Sequence, residues 1–508
     1  MAVPDDLHAL ADAAGIARHW RDVEGRDQTV SDADLEAILH ALGHACASRQ
    51  QIRRSLAALA EASSVPPPMI VADAGAPITI PGGAVLPPIA APGYYPIQIG
   101  GRDVTLAVAP RQCPLPTPES PRRWGAAIQI PALRGPHRRA FGGLGELADA
   151  ARRLAARGCD ALAINPVHAM FPGSGQDFSP YSPSSRTFLN TAMGDPALLG
   201  LPPLPDGVET ALIDWPGAMP RRLADLRGSF ASLPPEVRAR IAAETADQPA
   251  LRRHAVFDAL DGHFRPHGAN GWRDWPAAFH DPESPAVAAF ATAHAAEVQF
   301  HLFAQWLAQA SLAATQRTAR DAGMAIGLIA DLAVGVHLAG SDTWAQRDVM
   351  LPGLTIGAPP DPLGPLGQNW CITGYSPAGL RSSGYRPWLD MVRAALRSAG
   401  GLRVDHAFGL ARLWVIPEGE ASARGAYLDY PFHDLVRLLA LEAHLAGALI
   451  IAEDLGTAPH GFVEAVAARN MQGMRVLWFQ RAADGGFIGA QDYPAGAVAM
   501  TGTHDTPT

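Results

Sequence analysis

Acidic side chains stand at the ends of several short hydrophobic runs. Asp331 follows GLIA, Asp405 follows LRV, Glu453 follows LIIA, and Asp505 lies in TGTHD. Side chains alternate along a strand, so Arg403 and Asp405 are expected on one face. Arg403 would keep Asp405 ionised, whereas the charge of Asp405 would raise the pKa of Glu453 and keep it protonated. An ionised nucleophile beside a protonated acid is what cleavage of a glycosidic bond with retention requires.

Two other interpretations of these acids remain open. A single acid at a strand end often caps a helix or joins a salt bridge, although three or four at successive strand ends are harder to explain in that way. A metal site is the second alternative, because barrel hydrolases use such ligands. Its candidate ligands are Asp405, His406, Glu453, Asp454, His504 and Asp505. No HxH pattern follows the first predicted strand, so we expect neither a metal ion nor another cofactor.

The runs that carry these acids belong to a longer alternation of strands and helices. Seven buried strands are predicted, at 124–130, 161–167, 325–334, 402–408, 449–455, 474–480 and 497–505. Nearly continuous apolar strands that alternate with helices predict an α/β fold with a TIM (β/α)8-type barrel, whose strand ends meet at one mouth. Such a barrel needs eight strands, and the sequence ends at Thr508, so we expect that the eighth strand is missing from this chain; the alternative is an open barrel with unpaired strand edges.

Three domains are expected along the chain. Residues 1–64 carry helical patterns and predict an N-terminal helical module. Residues 65–120 contain short alternating runs between turn residues and predict a small β domain. Residues 121–508 would form the catalytic barrel, with 168–322 as an inserted helical subdomain and the C-terminal part absent.

Charge and cysteine usage limit the partners. The net charge is -9, and no Lys/Arg-rich run offsets it, so neither nucleic acid nor an anionic membrane is an expected partner. The first residues lack a basic segment before an apolar one, and we expect a cytoplasmic protein. The four cysteines are scattered, without a CxxC pattern, and are expected to be reduced. They are Cys46, Cys113, Cys159 and Cys371. The oligomeric state is not predicted.

Several sequence blocks resemble the amylomaltases, the 4-alpha-glucanotransferase family related to the α-amylase enzymes. They are NPVHAMFP, SPYSPSSRTFLN, DLAVGVHLAGSDTWA, GAPPDPLGPLGQNW, LRVDHAFGLARLWVIPEG, IIAEDLGTAPHGF, MRVLWFQR and THDTPT. They occur in the family's order over about residues 120 to 508. The segments before residue 120 look like the N-terminal extension of bacterial members.

The resemblance implies roles for individual residues. Asp405 matches the nucleophile, Glu453 the general acid/base, and Asp505 the third acid, which holds sugar hydroxyl groups. Other positions match residues that support these acids or bind sugar: Arg403, His504, Asp331 and Tyr181. The segment 357–370 looks like the family's acceptor-side loop, which carries Asp361, Gln368 and Trp370.

The expected function is retaining transfer of an α-1,4-glucanyl segment from a maltodextrin to glucose or another α-glucan, without a cofactor. The expected partners are therefore α-1,4-glucans and maltooligosaccharides. Two alternatives use the same residues. Water in place of a sugar acceptor would make the protein an α-glucan hydrolase, and a site without effective catalysis would make it a glucan-binding protein.

Overall fold

The computed structural model describes residues 4–22, 24–80, 83–115, 122–361 and 364–503. The chain divides into two compact units. One unit comprises Met1–Leu115, Asp348–Val392 and Leu402–Thr508, and the other comprises Pro116–Arg347 and Arg393–Gly401. Each unit is therefore assembled from segments that are far apart in the sequence.

The N-terminal segment is mainly helical. Its elements are α1 Pro4–Ala13, β1 His19–Arg21, β2 Asp27–Thr29, α2 Asp32–Ala41 and α3 Arg49–Ser64. The hydroxyl group of Ser31 accepts a hydrogen bond from the amide of Asp34, and that of Ser48 accepts one from Gln51. These caps satisfy amide groups that have no partner within their own helix, which is why the two helices begin there.

Short strands follow in the same unit. They are β3 Met69–Asp73, β4 Ile78–Thr79, β5 Val85–Leu86, β6 Gly93–Ile99 and β7 Arg102–Ala109. Gly100 and Gly101, with φ of 56° and 77°, turn the chain between β6 and β7, a backbone that favours glycine. β3 pairs with β7 in parallel, and Asp73 lies opposite Ala109. The carboxyl ends of β3 and β7 therefore lie at the same edge. The domain boundaries near residues 64 and 120 stay predictions.

The second unit contains three parallel strands in the order β8-β9-β12. Its elements are β8 Gly125–Ile128, α4 Leu144–Ala155, β9 Ala161–Ile164, β10 His168–Ala169, β11 Ser185–Leu189, α5 Trp215–Ala231, α6 Pro235–Thr245, α7 Pro249–Phe264, α8 Pro285–Ala293, α9 Ala295–Asp321, β12 Gly327–Leu332, β13 Val336–His337 and α10 Ser341–Ala345. Leu147, Leu162, Leu312 and Leu328, from α4, β9, α9 and β12, belong to one hydrophobic core. This core covers the sheet with helices, as parallel strands require.

A polar cluster is buried between α7 and α9. The carboxylate of Asp258 lies 3.6 Å from Nε2 of His254 and 3.7 Å from Nδ1 of His301. Burial, and then the charge of Asp261, raises the pKa of Asp258 well above its usual value. Burial lowers the pKa of His301 and brings that of His254 to about 3. The cluster therefore favours neutral side chains.

The remaining helices and strands are β14 Leu354–Ala358, β15 Gln368–Thr373, α11 Pro377–Ser382, α12 Arg386–Leu396, β16 Gly401–Val404, β17 Arg412–Pro417, β18 Ala426–Asp429, α13 Phe432–Ala446, β19 Leu449–Ala452, α14 Phe462–Ala468, β20 Gln472–Val476 and β21 Ala497–Met500. An antiparallel sheet of the first unit has the order β15-β14-β17-β18, and a second sheet segment has the order β16-β19-β20-β21. In that segment β20 runs parallel to both β19 and β21.

Strands lie at all seven positions that the hydrophobic runs predict, which are β8, β9, β12, β16, β19, β20 and β21. β16 ends directly before Asp405, and β19 ends directly before Glu453. All four cysteines are free thiols in the structure, three of them buried and Cys371 exposed. Among the described residues, no helix combines the length and the apolar character needed to cross a bilayer.

Candidate active site

Arg403 and Asp405 form an ion pair where β16 ends. The guanidinium Nη2 lies 2.8 Å from Oδ1 of Asp405, and the two side chains are only 12% and 16% exposed. Because little water screens such a pair, the attraction between the guanidinium and the carboxylate is stronger than in bulk water. This is the pairing that the alternation of side chains in LRVD predicts.

Glu453 lies beside this segment because β19 neighbours β16. The amide of Glu453 donates to the carbonyl oxygen of Val404, and its own carbonyl oxygen accepts from Ala407, both at 3.0 Å. The carboxyl group accepts two further amide hydrogen bonds, one from His406 at 2.9 Å and one from Leu455 at 3.0 Å. Both oxygens of Glu453 are therefore held in position by backbone groups.

The pKa of Glu453 is raised to about 7. Burial is the largest cause, since the residue is 8% exposed, and the charge of Asp405 is the second. Hydrogen bonds from Leu455 and His406 and the charge of Arg403 oppose the shift. The sequence predicts a protonated Glu453 from the charge of Asp405 alone, whereas in the structure burial of the carboxyl group is the larger cause.

His406 connects the two acids through its backbone. Its φ is 43°, in the left-handed region that residues other than glycine seldom occupy. This backbone directs its amide towards the carboxyl group of Glu453. Burial lowers the pKa of the imidazole, which favours the neutral ring. The motif RVDH contains this residue, but no sequence signal predicts its left-handed backbone, and its positioning role was missed.

The segment from Gly357 to Trp370 begins at the end of β14 and reaches the first residues of β15, and residues 362 and 363 between them lie outside the described residues. A Cβ atom at Gly357 would lie 1.9 Å from the carbonyl oxygen of Gln368, so the close pairing of β14 with β15 requires glycine. The indole N–H of Trp370 donates to Oε1 of Gln368 at 3.0 Å, and its ring meets that of His406 edge-on, with centroids 5.2 Å apart. The carboxylate of Asp361 accepts a hydrogen bond from the amide of Gly364 within the same loop.

Tyr181 and Asp331 meet in the second unit. The phenol of Tyr181 donates to Oδ2 of Asp331 at 2.9 Å, and Asp331 is buried at the end of β12. His168 and Arg186 hold the residues that follow: Nε2 of His168 accepts from the amide of Ala333, and Arg186 donates to its carbonyl oxygen at 3.0 Å. Burial, and then the charge of Arg186, lowers the pKa of His168 to about 3, so its ring stays a neutral acceptor. Neither bracing residue was predicted, although both lie in the blocks that carry the family resemblance.

His504 and Asp505 lie outside the described residues. Asp454, considered as a metal ligand in the sequence, instead accepts from the amide of Met474 at 2.7 Å and from Arg475 at 3.1 Å, which ties β19 to β20. Within the described ranges, no group of three or more His, Cys, Asp or Glu residues could hold a metal ion. The geometry instead supplies a carboxylate paired with a cation beside a second carboxyl group that is half-protonated near neutral pH.

Comparisons with known proteins agree with this chemistry. A family model described as 4-alpha-glucanotransferase, glycoside hydrolase family 77, matches residues 128–508. The 4-alpha-glucanotransferase of Mycobacterium tuberculosis is 32% identical over 582 residues, which cover 99% of this chain and 79% of the relative. That of Haemophilus influenzae is also 32% identical, over 83% of this chain and 65% of its own.

Solved structures give the fold. The amylomaltase of Corynebacterium glutamicum matches with a TM-score of 0.84 and 28% identity, over 99% of this chain and 80% of its own. The amylomaltase of Streptococcus agalactiae in complex with acarbose matches with a TM-score of 0.67 and 21% identity, over 76% of this chain and 80% of its own. With the parallel strands and covering helices described above, these matches give the chain a TIM-like α/β fold.

Proposed function

The chain belongs to the 4-alpha-glucanotransferase family and is a glucosyl-transferring enzyme of the amylomaltase type, and from this premise we propose that it works by double displacement, with Asp405 as nucleophile and Glu453 as general acid/base. The observation that carries the assignment is the contrast between the two acids. Asp405 is paired with a guanidinium, whereas Glu453 is buried with a pKa of about 7. Retaining glycoside chemistry needs this difference in protonation.

In the first step an oxygen of Asp405 attacks the anomeric carbon of the donor glucan. The glycosidic C–O bond breaks, and Glu453 gives its proton to the departing 4-oxygen, so the leaving chain departs as a neutral alcohol. The products of this step are a shortened glucan and a glucosyl group bound covalently to Asp405. Arg403 is ion-paired with Asp405. Its charge stabilises the free carboxylate before the attack, and again when the carboxylate leaves the anomeric carbon in the second step.

In the second step Glu453, now ionised, takes the proton of an acceptor 4-hydroxyl group. The acceptor oxygen bonds to the anomeric carbon, and the bond to Asp405 breaks. A pKa near 7 suits both halves of the cycle, because the group gives and receives a proton at similar cost near neutral pH. Two inversions at the anomeric carbon return the α configuration.

We further propose that the other predicted residues bind sugar. Buried Asp331, oriented by Tyr181, presents a carboxylate suited to paired sugar hydroxyl groups. Trp370, whose indole is hydrogen-bonded to Gln368, offers an aromatic surface for a sugar face on the acceptor side, and Asp361 adds a carboxylate in the same loop. Through the family resemblance, we assign Asp505 as the third acid, which holds sugar hydroxyl groups, and His504 as a residue that supports it.

The proposed substrates are α-1,4-glucans and maltooligosaccharides. The Streptococcus agalactiae relative binds acarbose, which mimics a maltooligosaccharide. We also propose a cytoplasmic location, which four free thiols favour, and a catalytic part over 121–508 preceded by the two N-terminal modules. Hydrolysis is the competing outcome at the second step, and exclusion of water by the loop that carries Trp370 favours transfer.

Covalent trapping tests the nucleophile. The Glu453→Gln variant is incubated with α-maltosyl fluoride, whose leaving group departs with little protonation, and the intact mass is measured. A maltosyl adduct should accumulate on the peptide that contains Asp405, and it should be absent when Asp405→Asn is added. An adduct on another acidic residue would refute the assignment.

A further inference from the structure

A cavity of about 340 Å³ lies in the first unit, lined by residues that the transfer reaction does not use. Its charged lining comes from three places. Asp73 is the last residue of β3, and Arg111 follows the end of β7 beside it. His433 and Arg437 lie one turn apart on α13, and Arg469 caps the end of α14. Small residues, among them Ala465 and Ala468, leave the space between them open.

The lining carries an excess of positive charge. Three guanidinium groups and one carboxylate leave two positive charges unbalanced, in a chain whose net charge is -9. Nε of Arg437 donates to Oδ2 of Asp73 at 3.1 Å, and Arg469 donates to Oδ1 of the same carboxylate. Burial opposes ionisation of Asp73, but the two arginines outweigh it and lower the pKa of this carboxyl group. Asp73 therefore holds two of the three cations in place.

Hydrogen-bond donors remain available in this cavity. Among the residues that the structure describes, the two terminal nitrogens of Arg437 make no hydrogen bond beyond the ion pair of this side chain with Asp73, and the guanidinium of Arg111 makes neither a hydrogen bond nor an ion pair. Guanidinium groups offer paired donors that match the oxygens of phosphate. Like charges gathered around one carboxylate repel each other, and a bound anion would relieve that repulsion.

We propose that this cavity binds a phosphate monoester, and that a hexose phosphate is the class of ligand that it fits. A phosphate monoester carries a charge of about -1.5 to -2 at neutral pH, which balances the excess, whereas a carboxylate would balance half of it. A space of about 340 Å³ is many times larger than a single water molecule needs, so it leaves room for a sugar ring beside the phosphate group. His433 offers a further polar group at the rim.

Calorimetric titration of the full-length protein tests this site in buffer with 0.15 M NaCl at pH 7.5, where long-range charge effects are screened. The probes are glucose 6-phosphate, inorganic phosphate and neutral glucose. Glucose 6-phosphate should bind saturably and raise the melting temperature, and glucose should not compete with it. Equal affinity for inorganic phosphate would still support a phosphate site, with the free ion as its ligand.

The main variant is Arg111→Gln, since Arg111 is exposed and makes no hydrogen bond or ion pair with another described residue. It should weaken glucose 6-phosphate binding about tenfold or more, as expected for a charge-assisted hydrogen bond. Arg54→Gln, at an exposed arginine of α3, is the matched control and should bind like the wild type. Absence of saturable binding, or equal affinity in the two variants, would overturn the proposal. Asp405→Asn should retain binding, so this test is separate from that of the transfer mechanism.

Discussion

The pKa of Glu453 leads to a detailed prediction for the Glu453→Gln variant. A rise from 4.5 to about 7 corresponds to roughly 3.5 kcal/mol against the ionised form, since one pKa unit is worth about 1.4 kcal/mol. The proton is therefore retained up to about pH 7 and lost above it. For the wild type, kcat/KM for a maltodextrin donor should fall about tenfold per pH unit on the alkaline side of that value.

Glutamine keeps the size of the side chain but has no proton to donate. Transfer from maltotriose should fall by about 10² to 10⁴. With α-maltosyl fluoride the first step should be much less affected, so fluoride is released in a burst of about one equivalent and then slowly, because no base activates the acceptor. In this variant the rate of the fluoride burst should no longer fall above about pH 7, because the group whose deprotonation causes that fall in the wild type has been removed.

The substitution has a structural cost that must be measured separately. Both oxygens of Glu453 accept backbone amide hydrogen bonds, and the NH₂ group of glutamine would face one of these donors, at a cost of about 1 to 3 kcal/mol. Urea unfolding measures this loss. Glu464→Gln, at an exposed glutamate of α14, is the control and should change neither activity nor stability. Equal losses for maltotriose and for maltosyl fluoride would refute the role of Glu453 as the acid.

Three further predictions follow from the same geometry. Asp405→Asn should abolish transfer. It should also lower the pKa of Glu453 while leaving it above 4.5, because the charge of Asp405 is removed but burial persists. Difference infrared titration of the Glu453 carboxyl band measures this pKa, and an unchanged value would contradict the coupling between the two acids. Trp370→Ala should raise the KM for the acceptor and increase the share of hydrolysis. That share is measured as the ratio of longer oligosaccharides to newly formed reducing ends. An unaltered ratio would show that Trp370 does not belong to the acceptor site. Asp258→Asn should change how stability depends on pH. Because the folded pKa of Asp258 is raised, the contribution of this residue to stability is fully present below about pH 4 and is lost as pH rises through the folded pKa. The variant should therefore be more stable than the wild type at pH 8 in urea unfolding, whereas the exposed control Asp247→Asn should show no such gain.

The sequence predicted the parts of the fold that depend on local pattern. Apolar runs that break into charge located the strands, and they placed Asp405 and Glu453 directly after β16 and β19. The alternation of side chains also gave the pairing of Arg403 with Asp405. These features follow from residue types within a few positions of each other.

Features that depend on contacts between distant segments could not be predicted in this way. The left-handed backbone of His406 is imposed where β16 leads into the loop beside Glu453, and nothing in the letters RVDH requires it. The support of the residues after Asp331 by His168 and Arg186 joins positions about 150 residues apart. Burial as the leading cause of the raised pKa of Glu453 is likewise a property of the folded surroundings.

Product analysis with maltotriose as the sole substrate tests the central claim most directly. The full-length protein should form glucose together with oligosaccharides longer than maltotriose, and the new linkages should have the α configuration. Formation of maltose and glucose alone, without any longer product at high substrate concentration, would contradict transfer.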